Sequence, residues 1–432
     1  MTDDSPFLRR PPHTSGKEGV SGFRPVHGSA APRLSVLAPL LGAVLAMAPA
    51  VSASAADPTA TPSASASTGP QLRLIPSSLD PNSDTCTKAS KTQVGTAPWA
   101  QLSLDVAQAD GYTQGDGVLI AVVDTGVAPQ ATGIAGRVRA SGAAAQDCVG
   151  HGTFLAGVIA ASAVPGSGFA GVAPKARIVA ERGTDQWGRP SADLAAQGIE
   201  AAVAAGAKVV DVSAALTKDT AQLRAAIKHA TAKDVLVVAP AAPDTAPEGS
   251  SAQASARPPA AYWPASADGV LSVVGVDIDG ERPDDVPQPQ HADLAAPGEG
   301  ITGIGPKGTG NYVANGASVA AAFVAGTAAL VRAHLPKLTA AQTAARLKAT
   351  AAHASVPLLD PVGALSTVLP TEAPSAAPDA ALRLPEPAPT SRVVPRAWAL
   401  TGASLLVSVL AAAALIVTRL RTSRRAQRGS RA

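Results

Sequence analysis

Three side chains in this 432-residue chain stand where chemistry is easiest to build. Ser318 opens the run Val319–Val331, small and apolar with no proline, which predicts a buried helix with the serine in its first turn. Free backbone N–H groups and the positive end of the helix dipole converge there and favour a developing negative charge. Asp124 closes the β-branched run Val118–Val123, which suits a strand buried on both faces, and the carboxyl ends of parallel strands are where ligand and catalytic groups gather. His151 lies between Gly150 and Gly152, ahead of a second small-residue apolar helix. Taken singly, each has a commoner role: a helix cap, a turn residue, a satisfied core histidine. Taken together they supply a nucleophilic hydroxyl, a base and a carboxylate to orient it, the set needed for acyl transfer through a covalent intermediate.

The elements that must position these groups alternate. A short helix is expected over Leu102–Ala109, then the Val118 strand and the His151 helix. A strand at Arg177–Ala180 precedes a helix from an N-cap at Ser191 to Ala205, and Lys208–Ser213 reads as the next strand. Asp219 is expected to cap a helix that places Leu223, Ala226, Ile227 and Ala230 on one face, and Val235–Ala239 follows as a strand. Strands alternating with helices of this length predict an α/β fold, a mostly parallel sheet covered by helices on both faces.

Composition and the two ends set the context. With 46% hydrophobic and 16% charged residues the chain has enough apolar material for a large core, and a net charge of +3 gives no reason to expect a nucleic-acid partner. No residue cluster calls for a cofactor or a metal. Residues 1–56 read as a signal peptide: a long basic segment through Arg33, an apolar stretch Leu34–Ala50 and small residues at Ala53–Ala55. An amino-terminal membrane anchor is the alternative, disfavoured by Pro39 and Pro49. Residues 57–97 form a spacer and N-terminal extension, and 367–396 a stalk rich in Pro and Ala. Residues 397–418 carry no charge and would extend about 33 Å as a helix, enough to cross a bilayer. The arginine-rich tail 419–432 would remain cytoplasmic, which turns the main domain outward. Outside the cytoplasm, the only two cysteines, Cys86 and Cys148, favour a disulfide over two buried thiols.

The motifs DTG at 124–126, HGT at 151–153 and NGAS at 315–318, in that order, resemble those of subtilisin-like serine peptidases. The resemblance covers about Trp99–Ser366 and implies a subtilisin-like three-layer fold over 98–366, with Asp124, His151 and Ser318 as the catalytic residues of a serine endopeptidase. It also implies that substrate lies extended beside the segment at Ser213. The form DC-x-x-HGT, together with the carboxyl-terminal anchor, is similar to the mycosins of actinobacterial type VII secretion, which implies exported proteins or peptides as substrates and secretion-system membrane components as partners. The chain departs from the family in three places. Ala317 replaces the usual Thr, and Ala322-Phe323 stands where a Pro normally follows. Subtilases also carry a Gly-Asn pair whose Asn supplies the second oxyanion donor; here Pro243 falls at about that place. Loss of such a donor lowers kcat by about 10²- to 10³-fold, the figure known for subtilisin itself. A catalytically impaired subtilase retained as a structural part of a secretion complex is therefore the competing expectation.

Overall fold

The computed structural model describes residues 71–82, 85–245, 260–369 and 393–429. After a two-residue strand β1 (Arg73–Leu74), two short helices, α1 (Trp99–Ser103) and α2 (Val106–Asp110), lead into β2 (Leu119–Asp124) and β3 (Val138–Arg139). Helix α3 (His151–Ala160) connects to β4 (Arg177–Arg182), α4 (Ala192–Ala204) to β5 (Val209–Val212), and α5 (Ala221–Ala232) to β6 (Leu236–Pro240). Strands β7 (Val270–Val276), β8 (Leu294–Pro297), β9 (Ile301–Gly303) and β10 (Tyr312–Ala314) precede the long helix α6 (Ala317–His334). Helices α7 (Ala340–Thr350), α8 (Pro361–Ser366) and α9 (Val393–Gly429) complete the described residues.

Seven strands form one sheet in the order β3-β4-β2-β5-β6-β7-β8, and every neighbouring pair is parallel. The strand order departs from the sequence order at β2, so β2 and β5 are hydrogen-bonded neighbours at the centre of the sheet. Such a reversal leaves a crevice at the carboxyl ends of the strands, the usual place for a site in an open parallel sheet. A smaller sheet, β1-β10-β9, pairs β1 parallel to β10 and β10 antiparallel to β9.

Side-chain alternation along β2 divides the core in two. Ile120 and Val122 point into a cluster with Phe154 and Leu155 of α3 and Val319 and Phe323 of α6, while Ala121 and Val123 point into one with Ile199 of α4 and Leu223 and Ile227 of α5. This is the α/β three-layer arrangement, with helices on both faces of the sheet. Each fully buried Phe, Leu or Ile contributes about 1.5–3 kcal/mol relative to exposure. Helix α6 carries the sheet's largest packing load, which explains its composition: alanines at 320–322, 325, 328 and 329 let it lie close against β5, β6, β7 and β8.

Two local expectations change. The helix expected over 102–109 is broken into α1 and α2, because Asp105 takes a left-handed conformation (φ 46°) at the junction. The cap of α5 is Thr220, whose Oγ1 accepts from the Leu223 amide at 3.2 Å; Asp219 instead pairs with Arg224. Ser191 is the N-cap residue of α4, although its side chain makes no capping hydrogen bond. The expected signal peptide and most of the stalk lie outside the described residues. Within α9, residues Gly402–Arg421 are long and apolar enough to cross a membrane and none of that stretch is buried, whereas α6, which is less apolar (mean hydropathy 1.3 against 2.1), is a core helix that is 89% buried.

Candidate active site

The three polar groups at the element ends meet. Asp124, at the carboxyl end of β2, accepts through Oδ2 from His151 Nδ1 at 2.6 Å, and His151 Nε2 lies 3.1 Å from Ser318 Oγ. The backbone fixes each of them. Gly150 precedes α3 with φ 93°, a left-handed turn that brings the chain into the helix with His151 as its first residue. Ser318 is the second residue of α6, entered through Gly316 at φ 135°. Nothing larger than hydrogen fits at 316: an added Cβ would lie 2.2 Å from Asp244 Oδ1. Asn315 holds the approach to α6 by accepting from the Gly300 amide at 2.9 Å.

A second carboxylate anchors the histidine loop. Asp147 is buried, and it accepts from Thr125 Oγ1 at 2.9 Å, the Gly150 amide at 2.7 Å, the Thr153 amide at 2.8 Å and Thr153 Oγ1 at 2.6 Å. It thus ties the loop after β2 to the first turn of α3, where its charge also faces the helix's positive end. Burial pushes its carboxyl upward, against the lowering effect of these hydrogen bonds. The expected disulfide is formed: Cys86 and Cys148 are bonded with Cα atoms 4.6 Å apart, and the Thr87 amide donates to the Cys148 carbonyl at 2.9 Å. The segment ahead of the domain is therefore clipped to the loop that leads to His151.

A carboxylate faces the serine. Asp244, one residue beyond Pro243, accepts from the Ser318 amide at 2.9 Å through Oδ1 and from Ser318 Oγ at 2.7 Å through Oδ2; the latter oxygen is 3.5 Å from His151 Nε2. Pro243 itself makes no such contact: it is the ionisable side chain next to it that faces the serine amide. A further carboxylate, Asp211 in β5, is fully buried and neither of its oxygens has a hydrogen-bond partner. Its pKa is raised well above the ordinary range, by burial first and then by the charges of Asp124 and Asp244, with His151 acting against them. For His151, burial disfavours the charged ring, but Asp124 and then Asp244 outweigh it and raise the imidazole well above its usual value.

Ser213 follows β5 directly, its amide and hydroxyl both directed at the Val123 carbonyl, at 3.3 and 3.4 Å. It lines a cleft of about 190 Å³ together with Asp124, His151, Pro190, Ala214 and Asp244. Ser77 and Ser78 of the N-terminal extension line the same cleft, and the Leu79 amide next to them donates to the Trp187 carbonyl at 2.8 Å. No group of three or more His, Cys, Asp or Glu side chains is arranged to hold a metal among the described residues.

A parallel α/β sheet with a carboxylate, an imidazole and a helix-start serine at its carboxyl edge is the arrangement of the subtilases. Residues 115–380 match that peptidase family, and the chain belongs to it. Within it the chain is similar to mycosins. It is 33% identical to Mycosin-1 of Mycobacterium tuberculosis over 350 residues, covering 67% of this chain and 77% of that protein, and 33% identical to Mycosin-3 of the same organism over 403 residues, covering 76% and 86%. Among solved structures it resembles MycP1 from Mycobacterium smegmatis, with a TM-score of 0.57 and 28% identity over 70% of this chain and 92% of that one. It also resembles a chain of the periplasmic assembly of the ESX-5 inner membrane complex, with a TM-score of 0.55 and 27% identity over 70% and 94% of the two chains.

Proposed function

We propose that this chain is a membrane-anchored serine endopeptidase that faces outward and cleaves exported proteins or peptides, in association with type VII secretion components. The observation that carries this reading is the unbroken chain from Asp124 through His151 to Ser318, at 2.6 and 3.1 Å. His151, oriented by Asp124, takes the Ser318 proton as Oγ attacks the peptide carbonyl, and returns it to the leaving amine. The acyl-enzyme is then hydrolysed by the same steps with water as the nucleophile. Substrate would lie extended along Ser213–Ala215, where the cleft runs past β5. The apolar stretch in α9 and the arginines that follow support anchoring with the tail in the cytoplasm. A fluorophosphonate probe should label the wild-type chain and fail to label Ser318→Ala; a folded wild type that stays unlabelled at every pH would defeat the peptidase reading.

A second reading has a specific observation in its favour: the Asp244 carboxylate occupies the hydrogen-bonding positions of Ser318. In that reading the chain is a structural part of a secretion complex. Ser318→Ala would then support secretion as well as wild type in a strain where deletion of the protein abolishes it.

A further inference from the structure

The oxyanion of a serine peptidase forms beside the backbone N–H of the nucleophile, and a second donor must reach it from across the cleft. In this chain the Ser318 amide is already engaged by Asp244 Oδ1, and the Ser318 hydroxyl is closer to Asp244 Oδ2, at 2.7 Å, than to His151 Nε2, at 3.1 Å. One hydroxyl hydrogen cannot point at both acceptors. The carboxylate therefore blocks the pocket and draws the serine proton away from its base. An ionised Asp244 would also set a negative charge against the oxyanion at hydrogen-bond distance, which is strongly unfavourable in a site as buried as this one.

We propose that Asp244 is the second oxyanion residue of this site and that its proton switches it: ionised, it latches Ser318; protonated, it donates its O–H to the oxyanion as an asparagine N–H would. The inference rests on the peptidase reading. In the active form the substrate carbonyl oxygen replaces Oδ1 at the Ser318 amide. Oγ then bonds to the carbonyl carbon, its proton passes to His151 Nε2, and the oxyanion accepts from the Ser318 N–H and the Asp244 O–H. The C–N bond breaks as His151 protonates the amine, and Asp244 keeps its own proton throughout.

The groups that face Asp244 decide how that proton is held. His151 of α3 lies 3.5 Å away, Asp124 of β2 stands behind His151, and Asp211 of β5 and Glu299 of the segment after β8 are near enough for their titration to feel the Asp244 charge. Among the described residues Arg189, a cation of fixed charge, lines the same cleft. Glu299 is itself pushed up to about 7, by burial first and then by the charges of Asp285, Asp244 and Asp277. Three further carboxyl groups thus surround Asp244, and the active species carries one proton on Asp244 and none on His151.

The test is the second-order rate of fluorophosphonate labelling of the full chain in detergent, between about pH 4 and pH 10, for wild type, Asp244→Asn, Asp244→Ala and Ser318→Ala. Wild type should give a bell, falling on the acid side as His151 is protonated and on the alkaline side as Asp244 is left ionised and latches Ser318. Asp244→Asn should keep only the acid limb, shift it to lower pH because a negative charge beside His151 is gone, and at about pH 9 exceed wild type by about 10²- to 10³-fold, the worth of such a donor in subtilisin. Asp244→Ala should lose the alkaline limb without that gain, which keeps the test open if the Asn form does not fold. Both Asp244 variants keeping the wild-type profile, or Asp244→Asn labelling more slowly than wild type at every pH, would overturn the role of Asp244 and leave the peptidase reading standing. No labelling of any form at any pH would overturn both.

Discussion

Asp211 shows how the site differs from a collection of independent charges. It is enclosed in β5 with no partner for either oxygen, and the charges of Asp124 and Asp244 add to the cost that burial places on its ionised form. Its folded pKa is raised above the unfolded value, so the folded state retains a proton that the unfolded state releases. The resulting stability is fully present below about pH 4 and is lost as pH rises from there through the folded value. Asp211→Asn, which cannot ionise, should therefore raise the unfolding free energy by about 1–3 kcal/mol near pH 8 and change it little near pH 4, by denaturant titration at the two pH values. An equal effect at both would show that charge is not what makes the residue costly. Asp211 and Asp244 were both hard to find from the sequence, for different reasons. Asp211 sits in a strand pattern where its neighbours are all valine, and nothing local tells a buried acid from a turn-facing one. Asp244 depends on the path of a proline-rich loop toward a serine 74 residues away, which no periodicity encodes. Asp124, His151 and Ser318 were legible because each adjoins a long apolar run whose secondary structure is unambiguous.

At the level of elements, what holds His151 is the first turn of α3, and what holds that turn is Asp147. Four donors from two loops and a helix converge on one buried carboxylate, so the residue works as a capping device that also joins the β2 loop to the helix. The spacing was present in the DC-x-x-HGT motif, but a carboxylate three residues before the Gly150 amide reads equally well as an ordinary turn until the helix start is known. Asp147→Ala should leave the donors buried without an acceptor, lower stability by about 3 kcal/mol, and slow probe labelling beyond what that loss explains, because the imidazole is no longer held against Ser318. A variant that loses stability but labels at the wild-type rate under folding conditions would show that Asp147 supports the fold without positioning the base. The break at Asp105 and the cap at Thr220 are smaller lessons of the same kind. A single left-handed residue, or a neighbouring hydroxyl with better reach, overrides a helix boundary that apolar spacing alone would place elsewhere.

For the whole molecule, the alternation of strands and helices made the three-layer core legible, because the central parallel strands are apolar on both faces, α4 and α5 are apolar on one face, and α3 and α6 are apolar nearly all round. The order of the strands was not, since which strand pairs with which depends on contacts distant in sequence, such as β2 with both β4 and β5. The disulfide joins these scales. It closes a loop of 62 residues that contains β2, β3 and the loop leading to α3, and it fastens the N-terminal extension to the loop just ahead of His151. By chain entropy, cross-linking a loop of that size stabilises the fold by about 4 kcal/mol. A domain that depends on this bond is suited to an oxidising compartment, which is where the proposed topology puts it. The double variant Cys86→Ser/Cys148→Ser should therefore unfold with a free energy lower by about 4 kcal/mol, and the wild type should lose the same amount when unfolded under reducing conditions. The rate of probe labelling should fall less than stability does, because Asp147 still holds the first turn of α3. A loss below about 1 kcal/mol would mean that the unfolded chain is already restrained or that the hydrogen bonds of Thr87 to Cys148 and Val149 suffice to hold the extension in place.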